Sequence, residues 1–127
     1  MRTWLLVAAG SALGGVARHA VSLLMEQRLG DRFPYGTLLV NILGSLAIGL
    51  IAGMAESPGR HSPSHELRLF LVPGLLGGFT TFSAFSLQSV GLLRSHQGLA
   101  ALYIGGSVLL CLAAAYGGFV AGARLGR

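Results

Sequence analysis

The stretch that decides the fold spans residues 72–86 and reads VPGLLGGFTTFSAFS. Pro73 and three glycines lie in its first seven residues, which makes an uninterrupted helix costly. Residues 69–93 carry no charge, so the stretch would lie at membrane depth, where non-helical backbone survives only inside protein or beside water or an ion. Two interpretations remain open: a kink without a ligand, or a broken helix whose carbonyls and amides face ions.

The composition of the whole chain is that of a membrane protein. Its 127 residues are 53% hydrophobic and 10% charged, and the mean hydropathy is +0.70. A soluble domain of this size needs more polar surface, since average soluble domains are roughly 25% charged. The nine basic residues are all Arg and are scattered, which argues against a nucleic-acid interface despite the net charge of +5. The lone Cys111 excludes a disulfide framework and a cysteine-based zinc site.

Charge-free runs predict four transmembrane helices in a single domain that covers residues 1–127. A bilayer core takes about 20 apolar residues per helix. The runs between charged residues place the spans at 3–25, 36–55, 68–93 and 98–123, with short connections. The first run continues past Arg18 without a convincing cleavage site, so it is predicted to be a retained helix rather than a signal peptide.

The arginines give the chain only a weak orientation in the membrane. Five lie on the side of the two termini, and three lie on the opposite side. This bias leaves two interpretations open, a chain that inserts in both orientations or a chain for which the modest bias suffices. The first side holds Arg2, Arg60, Arg68, Arg124 and Arg127, and the other holds Arg28, Arg32 and Arg94.

The polar residues inside the spans narrow the possible mechanisms. None of the spans contains Asp or Glu, whereas a proton-coupled transporter usually needs an embedded carboxylate. Arg18 is either an interfacial anchor or a fixed positive charge that attracts an anion. Asn41 lies at steps of four from Gly49 and Gly53, a small-residue pair that permits close helix packing. Its amide either bonds a neighbouring helix or donates to an anion in a pore.

Hydroxyls and aromatic rings are further candidate ligands. Tyr103 and Ser107 lie one turn apart on the fourth span. Their hydroxyls either serve an ion or bond the backbone of their own helix. Phe82 and Phe85 follow the Pro/Gly stretch at a spacing of three, which places them on a similar face. Their rings either pack as ordinary core or turn electropositive edges towards a small anion.

Three motifs resemble those of one protein family. Residues 77–86 (GGFTTFSAFS), 34–45 (PYGTLLVNILGS) and 14–18 (GGVAR) resemble signatures of the Fluc/CrcB fluoride channels. With four spans and this length, the resemblance covers essentially the whole chain. It implies an all-α membrane protein with a broken third helix. It also implies that two subunits form an antiparallel, dual-topology homodimer with two fluoride pathways and a structural Na⁺ at its centre.

The resemblance also implies roles for particular residues. The backbone carbonyls of Gly77 and Thr80 would hold the sodium ion, and Arg18 matches the first-helix arginine as a vestibule charge. The implied function is passive flow of fluoride across a prokaryotic inner membrane, which reduces the toxicity of fluoride in the cytoplasm. The implied partners are fluoride, membrane lipid and a second copy of the chain. The protein would have no enzymatic activity and would not bind nucleic acid. The residues assigned to the fluoride pathway are Asn41, Thr81, Phe82, Phe85, Tyr103 and Ser107.

Four positions depart from the family pattern. One is His19, which follows Arg18 where an aromatic Tyr is common and which is interpreted as an interfacial polar side chain. Ala84 and Gln88 stand where members often have Thr and Glu, which puts a carboxylate role near the pore in doubt. Cys111 stands where another hydroxyl would extend the polar track on the fourth span.

Three other functions fit these residues less well. A proton-coupled exporter would need an embedded carboxylate, and a structural module would not need the broken stretch. An enzyme would need a catalytic constellation, whereas His61 and His65 offer only a weak metal contact.

Overall fold

The computed structural model describes residues 1–56 and 63–127, and the regular structure of these residues is helical throughout. Helix α1 spans Arg2–Leu29, and α2 spans Tyr35–Glu56. The third segment consists of α3 (His65–Leu69), a π-helix (Phe70–Leu76), α4 (Gly77–Phe79) and α5 (Phe82–Ser95), and it is followed by α6 (Gln97–Leu125). Four helical stretches of the described residues are long and apolar enough to cross a membrane, which confirms the four predicted spans.

Glycines allow α2 and α6 to pack with their backbones in close contact. A Cβ atom added to Gly49 would lie 2.9 Å from the Ala115 carbonyl carbon, and one added to Gly118 would lie 2.9 Å from the Leu50 nitrogen. Real Cβ atoms essentially never come closer than 3.0 Å to such atoms, so this approach requires glycine. The predicted small-residue pair, Gly49 and Gly53, is therefore confirmed as a helix contact.

The third segment packs against α1 in a similar way. A Cβ atom added to Gly14 would lie 2.8 Å from the Phe79 nitrogen. The Ser11 hydroxyl donates a hydrogen bond to the Gly74 carbonyl, with 3.4 Å between the two oxygens. Helix α1 therefore supports the π-helix and α4, which lead into the site.

The third segment is broken, as predicted, but the break follows the Pro/Gly stretch rather than lying within it. The chain stays helical through Pro73 because Phe70–Leu76 widens into a π-helix. Pro73 has no N–H to donate, and a wider turn tolerates the ring that would clash in a regular α-helix. Thr80 and Thr81 are extended, with ψ of 157° and 116°. The Thr80 amide and hydroxyl both donate to the Leu76 carbonyl at 2.9 Å, which closes the end of α4.

The core is small, and most large apolar side chains face outward. The largest fully buried side chains among the described residues are Tyr103 on α6 and Val40 on α2. Exposed leucines and valines cover the outer faces of the helices, as expected for a chain surrounded by lipid. The buried interior therefore lies chiefly along the contact of α2 with α6.

The predicted second connection lies largely outside the described residues. This applies to Arg60 and to His61, so the weak metal contact considered for His61 and His65 falls on a residue outside the described ones. His65 is exposed at the start of α3. Within residues 1–56 and 63–127, no three His, Cys, Asp or Glu side chains are grouped to hold a metal ion.

Candidate functional site

Asn41 holds the break of the third segment in place from α2. Its Oδ1 accepts a hydrogen bond from the Thr81 amide at 2.8 Å, and its Nδ2 donates to the Thr81 carbonyl at 3.1 Å. One side chain thus pairs both backbone groups of a residue that has left the helical ladder, as a broken helix in a membrane requires. This is the interhelical role that the sequence left open. One N–H of the amide is left for another acceptor, so the role towards an anion stays a prediction.

Thr81 also begins the helix that follows the break. Its hydroxyl accepts a hydrogen bond from the Ala84 amide at 3.2 Å, which is an N-cap bond, and lies 3.2 Å from the Ser83 hydroxyl. The first turn of α5 therefore starts beside Asn41, in the middle of the third predicted span. The positive end of the α5 dipole favours negative charge at this point.

The break takes backbone carbonyls out of the regular helical ladder, among them those of Gly77 and Thr80. In a continuous helix the Thr81 amide would donate to the Gly77 carbonyl, but here it donates to Asn41. The Thr80 carbonyl accepts a long hydrogen bond from Arg18, whose Nη1 lies 3.5 Å away. Arg18 thus reaches the break from α1, a contact that neither of its predicted roles included. Its role as a vestibule charge stays a prediction.

A cavity of about 440 Å³, the break cavity, opens beside the break. Its walls come from α2, the third segment and α6, and they include no Asp or Glu. The structure therefore brings together, around one space, five of the six residues assigned to the fluoride pathway and both residues assigned to sodium. The five are Asn41, Thr81, Phe82, Phe85 and Ser107, and the other two are Gly77 and Thr80.

Ser107 lines the break cavity and has a buried hydroxyl without a hydrogen-bond partner. The residue is 5% exposed, and among the described residues its Oγ is the buried side-chain polar atom without a hydrogen-bond partner. The alternative in which this hydroxyl bonds its own helix is therefore wrong for Ser107. A buried hydroxyl without a partner is costly, and the role of Ser107 towards an ion stays a prediction. Cys111 lines the same cavity one turn further along α6.

Phe82 and Phe85 both line the break cavity, but the residues around the two rings differ. Their ring centroids are 5.4 Å apart, and the ring planes are inclined at 43°. Phe82 is 79% exposed, whereas Phe85 packs on Tyr103 with centroids 5.3 Å apart. Ring edges carry partial positive charge, so both rings can add favourable edge contacts to an anion in this cavity.

Tyr103 lines neither the break cavity nor a second cavity of about 560 Å³, but it contacts residues of both. This second cavity, the connection cavity, lies between the α1–α2 connection and the end of α5. The Tyr103 hydroxyl donates to Gln88 Oε1 at 2.9 Å, and Gln88 lines the connection cavity with Thr37. On its other side Tyr103 touches Phe85 of the break cavity. The charged residues that line the connection cavity are Glu26, Asp31 and Arg32.

Comparison with known proteins decides the family. Residues 5–119 match the family described as CrcB-like protein, Camphor Resistance (CrcB). The chain belongs to the CrcB family. The family resemblance of the three motifs is thereby confirmed, and the matched range contains every residue that lines the two cavities of this CrcB chain.

Three relatives of the CrcB chain are named Fluoride-specific ion channel FluC. The relative from Opitutus terrae is 45% identical over 126 residues, covering 98% of this chain and 96% of that protein. The relative from Paramagnetospirillum magneticum is 44% identical over 128 residues, covering 100% of both. The relative from Rhizobium meliloti is 50% identical over 115 residues, covering 90% of both. These names are those of channels, which confirms the prediction that the CrcB chain is not an enzyme.

Two partners of Tyr103 in the CrcB site were not predicted. Gln88 was singled out only as a departure from the family pattern, yet its Oε1 accepts a hydrogen bond from the Tyr103 hydroxyl. Phe33, in the α1–α2 connection, packs against Tyr103 with centroids 5.5 Å apart. The signal for Phe33 was its position before Pro34 and the start of α2, because an apolar residue there often packs back onto the helix.

Proposed function

We propose that this chain is a fluoride-selective ion channel that conducts fluoride passively across the membrane. The observation that carries the proposal is the break cavity, in which neutral donors and ring edges surround a space without any carboxylate. The names of the three FluC relatives support fluoride as the ion.

The donors of the break cavity suit a small, strongly hydrated anion. Fluoride can cross only where enough donors replace its water shell, and conduction requires that no site hold it too tightly. The Ser107 hydroxyl and the second N–H of Asn41 are neutral donors, and the edges of Phe82 and Phe85 add weak positive potential. From this cavity the path continues past Tyr103 and Gln88 to the connection cavity.

Passive flow follows from the lack of a carboxylate in the membrane-embedded part of this path, because Glu26 and Asp31 line only the connection cavity at its end. The break cavity is lined by no titratable carboxylate, and Gln88 places a neutral amide where a Glu would titrate. Fluoride therefore moves down its electrochemical gradient without a coupled proton and without a covalent step. Arg18 contributes a fixed positive charge near the break, which favours an anion nearby.

The functional unit that we propose is an antiparallel homodimer with two pathways. Phe82 is 79% exposed beside the cavity that it lines, so a second copy is needed to enclose that side. Gly77 is also exposed, and a Cβ added to it would meet only the Val72 carbonyl, at 3.6 Å. The weak arginine bias supports insertion in both orientations. Cross-linking of single-cysteine variants labelled from opposite membrane sides tests this arrangement, and dimers of one orientation only would contradict it.

The carbonyls at the break fit a structural sodium ion when two copies combine. Neutral carbonyl oxygens are ligands for hard cations, and the break removes the Gly77 carbonyl from its helical partner. Gly77 and Thr80 supply two oxygens from one chain and four from a pair. The bound ion would join the two breaks by neutralising these carbonyl dipoles. Arg18 lies near the Thr80 carbonyl, so its charge opposes a cation and limits the affinity. A higher Tm in sodium than in N-methylglucamine chloride, at equal ionic strength, is expected, whereas equal Tm values would contradict the site.

The proposed location is a prokaryotic inner membrane, where the channel lowers cytoplasmic fluoride. The three FluC relatives come from bacteria, and four helical stretches suit a multi-pass protein. Expression in a bacterium that lacks its own fluoride channel should restore growth in millimolar fluoride. Growth that stays inhibited despite membrane insertion of the protein would contradict this role.

The function is tested by fluoride efflux from liposomes that contain the purified protein, recorded beside chloride efflux. We expect fluoride efflux well above that of empty liposomes, and chloride efflux at the background level. Phe82→Ile and Phe85→Ile should abolish fluoride efflux, because an aliphatic side chain has no electropositive edge. Tyr116→Ile is the matched control, since Tyr116 is 72% exposed and does not line either cavity. Equal efflux of fluoride and chloride would overturn the claim of fluoride selectivity. Unchanged fluoride efflux in Phe82→Ile and Phe85→Ile would overturn the claim that the ring edges contact the ion.

A further inference from the structure

Five aromatic rings form a continuous row from the break cavity to the α1–α2 connection. Consecutive ring centroids along this aromatic row are 5.4, 5.3, 5.5 and 4.8 Å apart. The first three rings belong to the proposed fluoride pathway. The fourth ring comes from the connection between α1 and α2, and the fifth comes from the first residue of α2. The row consists, in order, of Phe82, Phe85, Tyr103, Phe33 and Tyr35.

Tyr103 is the central ring of this row, and its side-chain position is set by the residues around it. It is 1% exposed and packs between Phe85 and Phe33. The contact with Phe33 is edge-to-face, with an interplanar angle of 84°, and this is a favoured geometry for an aromatic pair. The hydroxyl donates a hydrogen bond to Gln88 Oε1 at 2.9 Å and also interacts with the Thr37 side chain. Two rings and these polar contacts therefore fix the Tyr103 side chain.

Phe33 is well held for a residue outside a helix. Its carbonyl accepts a hydrogen bond from the Tyr35 amide at 2.8 Å, and Pro34 restricts its backbone to extended conformations. The ring packs on the small core cluster that contains Leu92 and Tyr103. Phe33 also lines the connection cavity of about 560 Å³. Its ring therefore stands between Tyr103 and an open space into which the tyrosine could otherwise turn.

We propose that Phe33 is a positioning residue for ion conduction, because its ring holds Tyr103 where the Tyr103 hydroxyl meets Gln88 and the Tyr103 ring supports Phe85. The inference rests on the proposed function, since it concerns the same pathway. Loss of the Phe33 ring lets Tyr103 turn towards the connection cavity. That movement displaces one hydroxyl of the pathway and withdraws support from Phe85. The short connection between α1 and α2 thereby influences a path to which it contributes no donor of its own.

The first test is fluoride efflux from liposomes with three variants. Phe33→Leu keeps an apolar side chain but removes the ring, and we expect efflux to fall by about 2- to 10-fold, the loss that one aromatic contact is worth. Phe33→Tyr keeps the ring, and its efflux should stay within twofold of the unmodified chain. Tyr116→Leu removes an exposed ring that contacts neither cavity, so its efflux should not change.

The second test asks whether Phe33 acts through the Tyr103 hydroxyl. Tyr103→Phe removes only the hydroxyl, and the Tm change that it causes is measured in the unmodified chain and in Phe33→Leu. If Phe33 positions this hydroxyl, the Tm change should shrink by at least half in the Phe33→Leu background, because the bond to Gln88 is already weakened there. A role confined to general packing would leave the two Tm changes equal. Size-exclusion chromatography checks each variant, and Phe33→Met replaces Phe33→Leu if the latter does not elute as a single species.

The outcomes separate this inference from the proposed function. An unmodified chain that conducts no fluoride overturns the function and this inference together. Conduction by the unmodified chain with unchanged efflux in Phe33→Leu overturns the inference alone. Equal Tm changes for Tyr103→Phe in both backgrounds also overturn it, even if efflux falls. Loss of efflux in Phe33→Leu, recovery in Phe33→Tyr and a smaller Tm change together support it.

Discussion

Replacement of Asn41 tests how a broken helix is tolerated inside this fold. Asn41→Ala removes the acceptor for the Thr81 amide and the donor to the Thr81 carbonyl, which lie at 2.8 and 3.1 Å from the side chain. Thr81 is only 8% exposed, so water cannot readily replace both bonds. Each buried backbone group left unpaired costs about 1–3 kcal/mol. The variant should therefore lose about 2–6 kcal/mol of unfolding free energy.

The measurement is equilibrium unfolding in mixed micelles as the SDS fraction rises, followed by circular dichroism at one fixed protein concentration. Ser45→Ala is the matched control, because Ser45 lies one turn along α2 and lines the same cavity. The control should change the unfolding free energy by less than about 0.5 kcal/mol. If Asn41→Ala also changes it by less than about 0.5 kcal/mol, the break does not depend on this side chain, and the reasoning about the unpaired backbone is refuted.

Two further substitutions probe helix packing and the pathway. Gly118→Ala would bring a Cβ to 2.9 Å from the Leu50 nitrogen, so it should destabilise the chain by about 1–3 kcal/mol in the same SDS titration. Gly117→Ala meets nothing within 4 Å and should stabilise it slightly, and equal effects of the two substitutions would contradict the α2–α6 contact. Ser107→Ala removes a buried hydroxyl without a partner, so it should leave stability unchanged or raised while fluoride efflux falls by about tenfold or more, the worth of a hydrogen bond to an anion. Unchanged efflux in Ser107→Ala would remove this residue from the pathway.

The positions of the spans were predictable because charge is so scarce in this chain. Only 10% of the residues are charged, and in the described part of the chain all of them except Arg18 lie near helix ends or in connections. The predicted spans therefore coincide with the helices to within a few residues. The close packing of α2 with α6 was also predictable, since Gly49 and Gly53 recur on one face. Both features depend on local sequence and on the bilayer, without knowledge of tertiary contacts.

The exact place of the break was not predictable from local sequence. Pro73 and its neighbouring glycines pointed to residues 73–78, but a π-helix carries the chain through them. The backbone leaves the helix at Thr80 and Thr81 because the partners of these residues come from elsewhere, from Asn41 and Arg18. These partners are 40 and 62 residues away along the chain, so the helix propensities of the neighbouring residues cannot predict the contacts.

The residues of the candidate site were predictable in part. Asn41, Phe82, Phe85 and Ser107 were singled out as polar or aromatic residues at membrane depth, and they do line one cavity. Phe33 was not predicted as a site residue because it lies in a connection. A polar side chain at membrane depth needs a partner, whereas an apolar ring in a connection does not, and its contact with Tyr103 depends on the tertiary structure.

The most direct test of passive, selective conduction is fluoride efflux from potassium-loaded liposomes before and after valinomycin. An anion channel without coupling builds up a voltage that stops its own flow, so efflux should remain small until valinomycin lets potassium follow. It should then be rapid for fluoride and at background for chloride. Rapid fluoride efflux before valinomycin would indicate exchange with another ion and would contradict passive conduction. Equal efflux of chloride would indicate an unselective pore and would contradict fluoride selectivity.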